Sequence, residues 1–386
     1  MKVVSFFSGA GGLDLGYCLA GHEIIWANDF DEYAVKTYNN NIGKYQGHEA
    51  ECCDIVKRLD VSKEEIDKII PDCDLIIGGF PCQGFTIANL DRSMEDERNF
   101  LYLQLLKAIS VKQPPFFQLE NVKGLENIDN GEVLPMIIDD LENAGTKDSK
   151  LFPGDGVGYD VFYNVLNAYD FGVPQNRERV IIIGVRKDVN KRTIANHISA
   201  TPLSKDKPKK LLVLNPTHSS NSEIDDPTSL KDKINSLFDG WVKGDDVSTM
   251  FTDNHPLYHT TNMRDAIGDI PLEYSDDCTF YNHTGSKCKV KIANHIGNRA
   301  TDWEKRAPTI MGRGSGTGGP LIPPHPEKHR RLSVREVARI QTFPDNFVFH
   351  GNNSACYRQI GNAVPVLLAY YIANMFTEYE NDMNKE

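Results

Sequence analysis

Through residue 186 the chain alternates short apolar runs with segments of helical period, and this alternation limits the fold more than any other feature. KVVSFF (2–7), EIIWAND (23–29), DLIIGGF (74–80), PFFQLENV (115–122), YDVFYNVLNA (159–168) and RVIIIGVR (179–186) have strand length. Helical stretches near 11–20, 31–40, 62–70, 97–111 and 132–144 separate them. Connections long enough to hold a helix let successive strands run parallel, so the expected fold is α/β with a doubly wound, mostly parallel sheet. After Arg186 this regularity is expected to stop. Residues 187–325 are rich in Pro, Asn, Asp, Ser and Lys, with only short apolar pieces such as KLLVLNP, and read as a smaller, irregular second domain. Helical periodicity returns in RLSVREVARIQTF (331–343) and VPVLLAYYIANMF (364–376). The expected division is therefore 1–186, 187–325, and a C-terminal segment 326–386 that folds back onto the first domain.

Charge bears on the partner. A net charge of −12 argues against nucleic acid, but its distribution weakens the objection. Residues 281–340 hold 12 Lys and Arg against 4 Asp and Glu, and an acidic body with one basic face can still bind phosphates. No wholly apolar string approaches the ~18 residues of a membrane helix, so no membrane span is expected, and the N-terminus does not read as a secretion signal. Eight cysteines without a C-x-x-C pair suit a reducing, cytoplasmic setting. Cys278, His283, Cys288 and His295 fit no common zinc spacing, and no metal is expected.

Several strings carry candidate chemistry. FFSGAGGLDLG (6–16) follows the first strand and opens a helix, where Gly9, Gly11 and Gly12 let backbone approach a ligand closely. Twenty residues beyond Gly9, Asp29 ends the second strand and can accept from two ribose hydroxyls, with Phe30 placed to stack on adenine and Asp54 to meet the adenine amino group. That spacing suits nicotinamide dinucleotides and S-adenosylmethionine alike, although G-x-G without the third glycine tilts away from the former. In DLIIGGFPCQGF (74–85), Pro81 and Cys82 fall just past a strand end, where a thiol held as thiolate would be a nucleophile. Glu120 ends the neighbouring strand in FQLENV. Arg177 and Arg179, two apart at a strand start, are expected on one side, converging on Cys82 and Glu120. In YRQIGNAVP (357–365) a Gly-Asn turn precedes a helix opened by Pro365, and Asn362 with the following backbone would close over a cofactor if it returns beside residues 7–13.

Taken together, FSGAGGLDLG, NDFDEYA, GGFPCQGF, ENVKG, PQNRERV, RRLSVREVARIQTFP and QIGNAVP resemble the DNA (cytosine-5)-methyltransferase family, the small bacterial modification enzymes in particular. The strings stand in the family's order and cover roughly 1–186 and 300–377. Thr86 and Asp29 stand where the family often has Ser and Glu. The resemblance implies a Rossmann-like, S-adenosylmethionine-dependent fold with a target-recognition region in the middle. It implies a cofactor site at Phe7, Gly9, Gly11, Gly12, Leu13, Asp29, Phe30, Asp54, Ile55, Pro81, Asn362, Ala363 and Val364, and a catalytic site at Cys82, Glu120, Arg177 and Arg179. Cys82 would add to C6 of a cytosine flipped out of double-stranded DNA, Glu120 would hold a proton on N3, and C5 would take the methyl group. A cognate restriction endonuclease would act separately on the same site. Three rival readings are a tRNA cytosine-5 methyltransferase, a non-catalytic DNA-binding protein and a nicotinamide-dependent oxidoreductase. The last explains residues 1–30 but leaves Cys82, Glu120 and the arginines without a role.

Overall fold

The computed structural model describes residues 1–81, 100–190, 198–202, 208–245, 247, 257–274, 281–285, 290, 292–293, 298–312, 322–327 and 330–383. Its main sheet contains β1 (Lys2–Phe6), β2 (Glu23–Asp29), β3 (Glu51–Cys52), β4 (Leu75–Gly79), β5 (Phe116–Val122), β6 (Tyr159–Asn167), β7 (Glu178–Arg186), β8 (Ile198–Pro202) and β9 (Pro208–Leu212). The spatial order is β3-β2-β1-β4-β5-β7-β6-β9-β8. The chain steps outward from β1 through β2 to β3, then returns to place β4 on the other side of β1. The crevice at this reversal, above the carboxyl ends of β1 and β4, is where doubly wound sheets place ligands. From β3 to β5 all pairings are parallel. β7 lies antiparallel between β5 and β6 because the link 168–177 holds only a short 3-10 turn, too little for a crossover helix.

Consecutive strand residues go to opposite cores, as period two requires. Val3, Ile77, Phe116 and Ile183 face one layer, while Val4, Ile76, Phe117 and Ile182 face the other. Leu105, Ile109, Ile137 and Leu141, from the helices Phe100–Lys112 and Val133–Glu142, fill the second layer. The first layer is filled by helices Gly12–Leu19 and Val366–Met383. These two approach so closely that a Cβ on Gly16 would stand 2.4 Å from Ala369 Cβ.

Two expectations are corrected here. Regularity does not stop at Arg186: β8 and β9 extend the sheet beyond β6, with Leu211 opposite Tyr163. An edge hairpin is held largely by backbone pairing, so PKKLL forms a strand without an apolar alternation. The middle stretch also shares the main core, through Leu230, Ile234 and Leu237 of helix Leu230–Lys243 and Met263 and Ile267 of helix Met263–Ile267. In addition, Asn353–Asn381 is long and apolar enough to cross a membrane, contrary to the reading of short apolar strings. It is broken between Asn362 and Val366, and 83% of its most apolar window is buried, which marks core helices.

Candidate functional site at the carboxyl ends of the strands

After β1 the backbone turns sharply: Phe7 has φ 55°, Gly9 φ 56° and Gly11 φ 90°. A positive φ is costly for a phenylalanine and persists only where surrounding structure enforces it. Asp29, at the end of β2, supplies part of that constraint. Its Oδ2 accepts from the Gly9 N–H and its Oδ1 from the Asp31 N–H, both at 2.9 Å. Burial raises the Asp29 pKa above the usual carboxylate value, opposed by those two N–H groups. A carboxylate offers about four acceptor positions, more than these N–H groups occupy, so acceptor capacity remains for a ligand. Beside it the Phe30 ring is 79% exposed. β3 pairs with the end of β2, and Cys53 N–H donates to Asp29 O at 3.1 Å, which brings Asp54 and Ile55 alongside. Asp54 caps the short helix Ile55–Arg58 by accepting from Val56 N–H, and Ile55 is buried.

The C-terminal string returns to this loop. A Cβ on Gly12 would lie 2.5 Å from Val364 O and 3.0 Å from Ala363 Cβ, so the approach requires glycine. Leu13 and Val364 are buried, and Asn362 is exposed at the end of helix Asn353–Asn362. Gly361 and Asn362 complete this helix rather than forming a free turn; the backbone becomes extended only at Ala363. Phe7, Gly9, Gly11, Gly12, Leu13, Asp29, Phe30, Asp54, Ile55, Asn362, Ala363 and Val364 are thus gathered around one crevice. Pro81 is exposed just after β4.

Glu120 occupies the adjacent strand end. Gly79 pairs with Glu120 across β4 and β5, and Val122 pairs with Arg179 across β5 and β7. Residues 120 and 122 share a face, so Arg179 is a diagonal neighbour of Glu120. Arg179 Nε donates to Glu120 Oε1 at 2.7 Å, with both side chains about one-tenth exposed. Burial lowers the Arg179 pKa and the Glu120 carboxylate opposes that shift. Asn121 Nδ2 donates to Phe80 O at 3.0 Å, tying this strand end to the segment that leads into Cys82. Cys82 itself lies outside the described residues.

Arg177 corrects the expectation of two converging arginines. It precedes β7, so strand alternation does not govern it, and its buried guanidinium is taken up by main-chain carbonyls. Nη1 donates to Ile310 O at 2.8 Å, and Nη2 to Gly361 O at 2.9 Å and Ala363 O at 2.8 Å. Glu120 and Arg179 are near enough to influence it electrostatically, but burial dominates and lowers its pKa. Two glutamines not singled out by sequence complete this knot. Gln175 accepts from Ile310 N–H and donates to Gln341 Oε1, and Gln341 donates to Ile360 O, each at 2.7–2.8 Å. Both stand inside PQNRERV and RIQTFP, so the strings held them, but an uncharged amide gives no chemical signal of its own.

The basic stretch 281–340 also differs from expectation. Arg330, Arg331, Arg335 and Arg339 are buried. Arg330 pairs bidentately with Glu336 at 2.7 Å, and Arg339 pairs with Asp345 at 2.6 Å and with Asp269. Arg335 donates to the carbonyls of Tyr281, Pro344 and Phe347. These four charges serve the interior, so the count overstates the basic surface. Lys287, Lys289, Lys291, Arg313 and Lys328 lie outside the described residues, as do Cys278, Cys288 and His295; the His283 ring bonds Ser333 Oγ and Glu273 O.

Comparison with known proteins assigns the family. The family model for C-5 cytosine-specific DNA methylases matches residues 1–378. Type II methyltransferase M.FnuDI of Fusobacterium nucleatum is 35% identical over 406 aligned positions, covering 100% of this chain and 96% of that protein. M.NgoPII of Neisseria gonorrhoeae is 35% identical, covering 97% of this chain and 94% of its own length. Among solved structures, a putative DNA modification methyltransferase encoded within a prophage (E. coli) superposes with a TM-score of 0.59 at 24% identity, covering 99% of both chains. The Dnmt2 methyltransferase of S. pombe gives 0.58 at 17% identity, covering 98% of this chain and 99% of that one. These structures share the fold. Family match and full-length relatives together establish that the chain belongs to the C-5 cytosine-specific DNA methylases and is an enzyme of the transferase class.

Proposed function

We propose that the enzyme methylates C5 of a cytosine flipped out of double-stranded DNA, within a specific sequence, as the modification half of a restriction–modification system. The observation that carries this reading is the buried Glu120–Arg179 pair at the end of β5, beside the β4 exit that runs directly into Pro81 and Cys82. The donor set of the neighbouring crevice fits S-adenosylmethionine: the glycine loop opens a helix, Asp29 has acceptor positions to spare for ribose hydroxyls, and the exposed Phe30 ring offers an adenine stacking face. When bound, S-adenosylmethionine supplies an electrophilic methyl group.

In this reading the Cys82 sulfur bonds to C6 of the base, and the ring electrons move toward C5 while Glu120 holds a proton on N3. Arg179 fixes the Glu120 carboxyl from one side and steadies the charge that develops on the ring. Once C5 carries the methyl group, its proton leaves and the C6–S bond breaks, restoring the aromatic ring and the thiolate. Arg177 does not touch the base; it holds Ile310, Gly361 and Ala363 in place behind the site. Residues 1–186 and 326–386 supply chemistry, and 187–325 read the target. The enzyme works in the cytoplasm at the nucleoid, with a separate endonuclease on the same site.

Bisulfite sequencing of DNA from cells expressing the chain identifies the methylated sequence. A duplex with 5-fluorocytosine at that position then tests the mechanism, because fluorine cannot leave as a proton does. Wild-type enzyme should form a complex stable to denaturing gels only with S-adenosylmethionine present. Cys82→Ser should abolish the complex, and Glu120→Gln should slow it strongly. An adduct formed by the Cys82→Ser protein would remove Cys82 as the nucleophile.

A further inference from the structure

One ion pair spans the two walls of the cofactor crevice. Arg358, on helix Asn353–Asn362, donates to a single oxygen of Asp31, from Nη2 at 2.6 Å and from Nε at 3.1 Å. The other Asp31 oxygen caps helix Glu32–Tyr38 by accepting from the N–H groups of Tyr33 and Ala34. The Asp31 N–H in turn donates to Asp29, and Asp29 accepts from Gly9. The bonds therefore form one line from Arg358 through Asp31 and Asp29 to the glycine loop. Four residues along from Arg358 the helix ends at Asn362, and Ala363 and Val364 meet Gly12 on the opposite wall. The Arg358 side chain is 48% exposed. Ion pairs in such positions contribute little to global stability, so this one is not needed to hold the fold.

We propose that Arg358 is a positioning residue for S-adenosylmethionine: through Asp31 it sets the Asp29–Phe30 loop at a fixed distance from the Asn362–Val364 wall before the ligand arrives. This rests on the reading of the crevice as the cofactor site. The geometry reaches only the crevice walls, so the effect belongs to cofactor affinity and not to the methyl-transfer step. The exposed pair is screened by salt, so the contribution should fade as ionic strength rises.

The full-length protein is titrated with S-adenosylmethionine by calorimetry at low and high salt, as wild type, Arg358→Gln, Arg358→Lys, Asp31→Asn and the Arg358→Gln/Asp31→Asn double variant. Arg358→Gln should bind roughly two- to fivefold more weakly at low salt, the range of an exposed pair, and match wild type at high salt. Asp31→Asn keeps a capping oxygen and should lose the same factor. The double variant should be no weaker than either single one, and Arg358→Lys should retain most of the affinity. The Michaelis constant for cofactor should rise in step while kcat at saturation stays within about twofold. Wild-type affinity in Arg358→Gln at low salt, additive losses in the double variant, or a loss that persists at high salt would each overturn the proposal. A wild-type protein that binds no S-adenosylmethionine would instead overturn the cofactor reading and the positioning role together.

Discussion

Asp14 offers a test of how the glycine loop is supported. It is fully buried in the first turn of helix Gly12–Leu19. Ser5 Oγ donates to its Oδ1 at 2.8 Å, while the Tyr38 hydroxyl lies beside the carboxyl without a well-formed hydrogen bond to Oδ2. Burial raises its pKa from 3.8 to about 7, with Ser5 and Tyr38 opposing and the charge of Asp29 adding to the shift. Tyr17, Tyr38 and Cys18 around it are pushed up by burial and by the Asp14 charge, so all three stay neutral beside it. The folded pKa lies above the unfolded one, so the native state prefers the neutral form. Its stabilising contribution is complete below about pH 4 and is lost as pH rises through 7. The rise from 3.8 to about 7 corresponds to roughly 4 kcal/mol in total, of which about 2–3 kcal/mol falls between pH 5 and pH 8. Asp14→Asn keeps an acceptor for Ser5, cannot ionise, and brings an amide donor toward Tyr38. Urea unfolding at pH 5 and pH 8 should show wild type losing about 2–3 kcal/mol more than Asp14→Asn over that interval. Parallel stability curves for the two proteins would refute a neutral Asp14 in the native state.

Asp29→Ala should weaken S-adenosylmethionine binding by about 1.5–3 kcal/mol while leaving DNA binding without cofactor nearly unchanged; unaltered cofactor affinity by calorimetry would reject the assignment. Replacing residues 187–305 with the corresponding stretch of a relative that methylates a different sequence should move methylation to the new site. A chimera active on the original sequence would place target recognition elsewhere.

Most of the sheet was legible because strands buried on both faces write themselves as continuous apolar runs. EIIWAND is β2 to the residue, and RVIIIGVR lacks only Glu178 of β7. The direction of β7 was not legible, since it depends on link 168–177 being too short for a crossover helix. β8 and β9 were missed because backbone pairing at an edge needs no apolar pattern. At the site, the sequence named residues of the right chemistry but not their partners. Arg177 and Arg179 look equivalent in PQNRERV; Arg179 meets a carboxylate because β5 runs beside β7, and Arg177 meets carbonyls from residues 310, 361 and 363. Partners 59 positions away for Arg179, and more than a hundred for Arg177, leave no local trace. Charge counting failed differently at Arg330, Arg335 and Arg339: their acceptors Glu336, Pro344 and Asp345 stand close by in sequence, but a count of charges does not show that the pairs are taken inside.

The seam between helices Gly12–Leu19 and Val366–Met383 has a consequence during protein synthesis. Gly12 and Val364, which it touches, are roughly 350 residues apart in the chain, so at 5–20 residues per second they leave the ribosome about 20–70 s apart. Through that interval the apolar face formed by Leu15 and Leu19 lacks Leu368 and Ile372, and the crevice lacks its second wall. A nascent chain therefore has a glycine loop and an acidic strand end but no enclosed pocket, and a chain interrupted before residue 364 is left with that apolar face uncovered. Synthesis of helix Val366–Met383 covers that face and closes the crevice, long after the strands of the sheet are complete at Leu212.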